Sequence, residues 1–180
     1  MDVAAIAARS KIAILKTGAW RPKGLHRQET QVENQRHAVP EDTASVSVRC
    51  CNHELLKEID SIQREAAAWH KRHTSPTVDE AMRLVPMCKE LEHAHQIGTF
   101  ARKHDASVGQ FMAIYPMLMA DAHNRLNGLY DPKRWKETET VRQSFRLAVE
   151  YRPCPTEGEW AAWLEVSAQA AQLELKEQLE

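Results

Sequence analysis

Nine histidines and four cysteines offer enough borderline and soft ligands for a metal site. Cys50-Cys51-x-His53 and Cys88-x4-His93-x-His95 have suitable residue types, and His70-x2-His73 has helical spacing. A zinc site wants about four ligands on a rigid frame, usually announced by a CxxC or HExxH pattern. Neither pattern occurs. Adjacent Cys50 and Cys51 aim their sulfurs apart in most backbones. His93 and His95 stand ~200° apart on a helix that turns ~100° per residue. The residues therefore predict no metal and no cofactor; a metal-dependent hydrolase would need Cys50, His53 and Cys88 or His93 to converge. Cys88 and Cys154 read as small apolar fillers in a reducing compartment.

Acid–base chemistry wants two carboxylates facing across a cleft. Glu90 and Glu92 read as a solvated helix face, and Asp121 and His123 as the polar flank of an apolar stripe. There is no Gly-rich phosphate loop and no GxSxG elbow. The expectation is a non-enzymatic protein.

Cations give a stronger pattern. The net charge of −1 hides an asymmetry: residues 1–40 carry +4 and residues 155–180 carry −5. Lys16, Trp20, Arg21, Lys23, His26 and Arg27 place an aromatic ring among cations, a combination that tracks phosphates and stacks on bases. Arg142, Arg146 and Arg152 lie on or beside a late strand. If that strand pairs with an early one, the two groups join into one basic surface. Trp20 would stack on bases, or it would plug the core instead. Trp160 and Trp163, followed by acidic residues, suit a groove on a partner or a second copy, because aromatics dominate interface hot spots. They also suit the domain's own core.

These groups need a frame. A chain of 180 residues with 43% hydrophobic and 27% charged residues suits about one domain with a real core. No stretch approaches the ~20 apolar residues of a membrane span. The first 15 residues lack the apolar core of a secretory leader, so a cytoplasmic protein is expected. Lys11 to Trp20 reads as a strand, stopped by Gly18 and Arg21-Pro22. Residues 22–48 read as a mobile basic arm, with a polar helix from Arg27 to His37. Asn52 is a candidate N-cap for a helix to about His73. Asp79 to Leu84 suits a helical turn, and Pro86 a first helical position. A helix to His104 has the inward stripe Met87, Leu91, His95, Gly98 and Ala101. Ser107 would cap a further helix over Val108 to Leu129, kinked at Pro116.

Phe145, Leu147, Val149 and Tyr151 then alternate with Arg146, Ala148, Glu150 and Arg152, a half-buried strand over 144–152. Thr156 to Glu159 opens a last, acidic helix. The fold class is α+β, helix-dominated, with strands near 11–20 and 144–152 in a small antiparallel sheet. A third strand is expected near Ala44 to Arg49 or from another subunit, since a lone pair of strands is marginal. The organisation is a strand and arm over 1–48 and a helical body over 49–180, forming one folding unit.

Four segments carry a resemblance. They are the apolar run ending in Trp20-Arg21-Pro22-Lys23; the Leu55 to His73 helix followed by Arg83-Leu84-Val85-Pro86; Phe111 to Tyr115 with Leu126-Asn127-Gly128-Leu129-Tyr130; and Val141 to Phe145 through Tyr151-Arg152-Pro153-Cys154-Pro155. In these the chain resembles a family of uncharacterised proteins of bacteriophages and integrative elements, often encoded near replication and recombination genes. It departs at Thr74-Ser75-Pro76-Thr77, where that family commonly has Thr-Leu-Pro-Trp. The resemblance implies a phage or prophage origin and brings no catalytic residues. Together these readings predict a phage accessory protein that binds nucleic acid, in single-stranded form. The contact residues are Lys16, Trp20, Arg21, Lys23, Arg27, Arg142, Arg146 and Arg152. The alternative is a protein-interaction module that self-assembles or inhibits a host factor.

Overall fold

The computed structural model describes residues 8–25, 27–37, 47–49, 51–77, 79–126, 132–155 and 158–159. In chain order these form β1 (Ser10–Gly18), β2 (Lys23–Leu25), α1 (Arg27–Arg36), β3 (Ser47–Arg49), α2 (Glu54–Arg72), β4 (Ser75–Pro76) and β5 (Met82–Pro86). A 3-10 turn, Met87–Lys89, leads into α3 (Glu90–Leu126); then come α4 (Thr138–Ser144) and β6 (Arg146–Pro153). The fold is a helix-dominated α+β, with a four-stranded sheet of order β4-β5-β1-β6 and a separate β2-β3 pair. Among the described residues no helix is long and apolar enough to cross a membrane.

The chain packs as two compact units. One comprises Met1–Leu15, Ala68–Ile97 and Val149–Glu180; the other comprises Lys16–Ala67 and Gly98–Ala148. In the first, β1 runs antiparallel to β5, with Ser10 opposite Pro86 and Ile14 opposite Met82. β4 runs antiparallel to β5 on its other edge. Ile12, Ala13 and Ile14 are buried in succession, as in a strand covered on both faces. Lys11 Nζ reaches the Glu90 carboxylate at 2.8 Å, so Glu90 is held by a cation and does not belong to a solvated face. Arg83 closes the end of α2: its guanidinium donates to Lys71 O, Thr74 O and Thr74 Oγ1 at 2.6–3.0 Å.

The second unit is built around an aromatic core of Trp20, Phe111, Tyr115 and Trp135, with Ile59, Met112 and Val141. Tyr115 is fully buried, and its hydroxyl donates to Lys136 O at 2.8 Å.

Several expectations are corrected. The third strand of the main sheet is β5, where a helical turn was expected; Ser47–Arg49 pairs with β2 instead. The described part of residues 22–48 forms β2, α1 and β3; the polar helix expected from Arg27 to His37 is α1, in which Thr30 and Asn34 are buried. The two helices over 86–129 are one. Ser107 is interior, its buried hydroxyl within reach of two acceptors, Glu58 Oε1 at 2.9 Å and Lys103 O one turn back at 3.2 Å, so it caps nothing. The inward stripe is also displaced: Leu91 is 85% exposed, and His93, Ile97 and His104 are buried. Cys88, read as a filler, is exposed.

Two glycines give opposite expectations. A Cβ on Gly18 would lie 2.7 Å from the Ser144 carbonyl oxygen. Gly18→Ala must shift backbone, and the expected cost is about 1–3 kcal/mol. Nothing lies within 4 Å of a Cβ on Gly109, which is exposed inside α3. Gly109→Ala is expected to stabilise by about 0.5–1 kcal/mol. Urea midpoints of the two variants, moving in opposite directions, check both.

Candidate nucleic-acid interface

β1 ends at Gly18, and the chain then drops Trp20 into the core of the second unit. The indole is 7% exposed. Its ring centre lies 5.4 Å from Tyr115, 5.8 Å from Trp135 and 6.0 Å from Phe111. The sequence left stacking and core roles open for Trp20, and burial among three rings assigns it to the core. What little of it stays exposed lines the wall of the adjoining cavity.

The next residue turns outward. Arg21 is exposed and has no hydrogen-bond or ion-pair partner among the described residues. It lines a cavity of about 330 Å³ in this unit, whose walls include His53, Lys57, Asp60 and Phe145. Three of these come from one face of α2, at spacings of four and three residues. His53, not Asn52, caps that helix: its Nδ1 accepts the Leu55 N–H at 3.2 Å. The neutral ring then carries its proton on Nε2. Lys57 Nζ is bound to the Glu54 carboxylate at 2.6 Å, which holds the Glu54 carboxyl below its ordinary range. Asp60 keeps its side-chain carboxylate unpaired; only its backbone oxygen is used, by Arg64 Nε at 3.2 Å.

Phe145 follows α4, whose short helix closes with Phe145 N donating to Arg142 O at 3.1 Å. Its ring packs edge-on against Phe111 at 5.9 Å and is half-buried. Phe145 is thus the more exposed of the two aromatic walls of the cavity, the other being Trp20. Gln63 fixes this corner from α2. Its amide lies 2.7 Å from Gly18 O, 3.3 Å from Arg146 O and 3.0 Å from His104 Nε2. An amide NH2 only donates, so buried His104 accepts at Nε2.

The expected cations divide. Arg146 is exposed, without an ion pair among the described residues, and its Cβ would lie 3.4 Å from a Cβ on Gly18. Lys16, half-buried, shares that strand face by the two-residue period. Arg142 is exposed, 3.8 Å from Glu139. Lys16, Arg21, Arg142 and Arg146 therefore belong to one unit. Arg152 belongs to the other unit, paired with Glu150 at 2.6 Å. Lys23 and Arg27 are described in backbone only, at the starts of β2 and α1. Trp160 and Trp163 lie outside the described residues.

The first unit holds a second polar cluster that the sequence did not announce. His70 Nδ1 and His93 Nε2 are 3.0 Å apart, and His93 Nδ1 is 2.6 Å from the Tyr151 hydroxyl. Both imidazoles are buried, and His70 Nε2 has no partner among the described residues. Burial first, then the neighbouring His93 and Arg83, push His70 down to about 4. Burial and His73 lower His93, while burial and Glu90 raise Tyr151 to about 12. A chain of neutral donors and acceptors results. Every nitrogen of His93 is committed inside it, so His93 is no free base. Among the described residues no three metal-ligand side chains converge.

No protein-family model, no curated protein and no solved structure matches the chain.

Proposed function

We propose that this chain is a non-enzymatic nucleic-acid-binding protein that takes single-stranded DNA at the Arg21 cavity, serving phage or prophage replication or recombination. The observation that carries the reading is a pair of exposed guanidinium groups, Arg21 and Arg146, that no carboxylate neutralises among the described residues. Arg21 lines a cavity with an accessible aromatic wall at Phe145, and Arg146 is the next residue along the chain from that ring. Unspent cations release counterions when they meet phosphates, and a half-buried ring supplies a stacking surface for any base. A cavity of about 330 Å³ suits an unpaired base with its sugar. Base pairs in a duplex stay stacked and do not enter it. The phage setting comes from the resemblance of the four sequence segments.

The test is anisotropy titration of a labelled single strand and its duplex at several salt concentrations. The wild type is expected to prefer the single strand. Arg21→Ala/Arg146→Ala removes two phosphate contacts, so the slope of log affinity against log salt is expected to shrink by about 1.4. An unchanged affinity and slope in this folded double variant would remove the cavity from the reading.

A further inference from the structure

An unpaired carboxylate is out of place in a phosphate-binding cavity. Asp60 repels phosphates that Arg21 attracts. It pairs with neither Arg21 nor Lys57, although all three line the same cavity, and Lys57 is committed to Glu54. An ionised carboxylate accepts hydrogen bonds and donates none. Asp60 is exposed to water in the free protein, so a ligand that displaces that water must bring N–H or O–H donors. The sugar–phosphate backbone of DNA has none within the strand, but base edges do.

Resting on the single-strand reading above, we propose that the cavity seats one unpaired base bearing an exocyclic amine, with guanine the best occupant, read by the Asp60 carboxylate. Guanine presents N1–H and the 2-amino group side by side, two donors matched to two carboxylate oxygens. Cytosine and adenine present one amine beside a ring acceptor. Thymine presents only N3–H, flanked on both sides by carbonyl oxygens that a carboxylate repels. His53 and Asp60 sit seven residues apart on one helix face, about 10 Å along the axis. That span suits one nucleotide from base edge to phosphate, with Asp60 at the base and the His53 Nε2–H at the backbone.

The probes are labelled 12-residue oligo-dT strands in which the central base is T, A, C or G. Wild type is expected to bind the central-G strand about 10-fold more tightly than all-T, as one bidentate contact allows. In Asp60→Ala the preference should vanish, and all-T should bind as tightly as before or more so, because a repulsive charge is gone. Asp60 is exposed, with no side-chain hydrogen bond or ion pair among the described residues, so the variant keeps its fold. If all four strands bind wild type equally, or if Asp60→Ala keeps the preference for G, this inference is overturned and single-strand binding stands. If no strand binds even at low salt, the single-strand reading falls and takes the inference with it.

Discussion

Trp20→Ala is expected to destabilise the protein by about 3–5 kcal/mol, the range for deleting a large aromatic from a packed core. Trp20 is the hub of a ring cluster in which Phe111 and Tyr115 are fully buried. Its edge-on contact with Tyr115 at 5.4 Å adds an aromatic pair term of about 0.5–1.5 kcal/mol. Small domains are stable by only about 5–15 kcal/mol, so this one truncation removes a large share. Trp20→Phe keeps a ring in the cluster and is expected to lose much less. Urea unfolding of both variants measures the difference. The folded Trp20→Phe protein should also bind a single strand within about twofold of wild type. A tenfold loss of affinity at unchanged stability would return Trp20 to the ligand surface.

Trp20 shows where the sequence was legible and where it stopped. Lys11 to Trp20 announced a strand because its apolar run is bounded by a glycine and a proline, and β1 occupies Ser10–Gly18, ending before Trp20. The alternation from Phe145 to Arg152 announced β6 for an equally local reason. The long α2 was legible from its apolar period. β5 was not, because Met82–Pro86 carries no alternation of its own; pairing with β1 on one side and β4 on the other makes it a strand. A tryptophan among cations looks the same whether its ring faces solvent or core. Only the positions of Phe111, Tyr115 and Trp135, far along the chain, decide it.

The same limit applies to the site. Arg21 and Arg146 were legible as cations, but their freedom from carboxylates depends on tertiary placement. His53, Lys57 and Asp60 stand at helical spacing in the sequence, where nothing separates a cavity wall from a solvated face. The displaced stripe of α3 has a chemical cause. Reading apolar residues selects Met87 and Leu91, but two of the inward positions, 93 and 104, are filled by imidazoles that hydrogen-bond inside the fold. The sequence reading weighs His93 only as a metal ligand beside His95 and takes His104 only as a helix end.

Those imidazoles carry the last large expectation, a loss of stability in mild acid. His70 is 3% exposed and His93 2%. In the fold both stay neutral: one proton ordering runs from the Tyr151 hydroxyl to His93 Nδ1 and from His93 Nε2–H to His70 Nδ1. Protonating His70 puts a charge in a buried site whose Nε2–H has no acceptor, with Arg83 and His93 as electrostatic neighbours. Unfolding frees the ring to titrate near 6.5, while in the fold it titrates at about 4. Between those values the unfolded chain binds more protons. Stability is therefore complete above about pH 6.5 and falls as pH drops towards 4, by on the order of 2–3 kcal/mol from His70. His70→Gln keeps a polar group of similar reach and removes the titration. Its urea midpoint is expected to be lower at pH 8 but flatter between pH 7 and 4. A profile as steep as wild type would assign the acid sensitivity to another group, His93 first, since burial lowers it in the same direction.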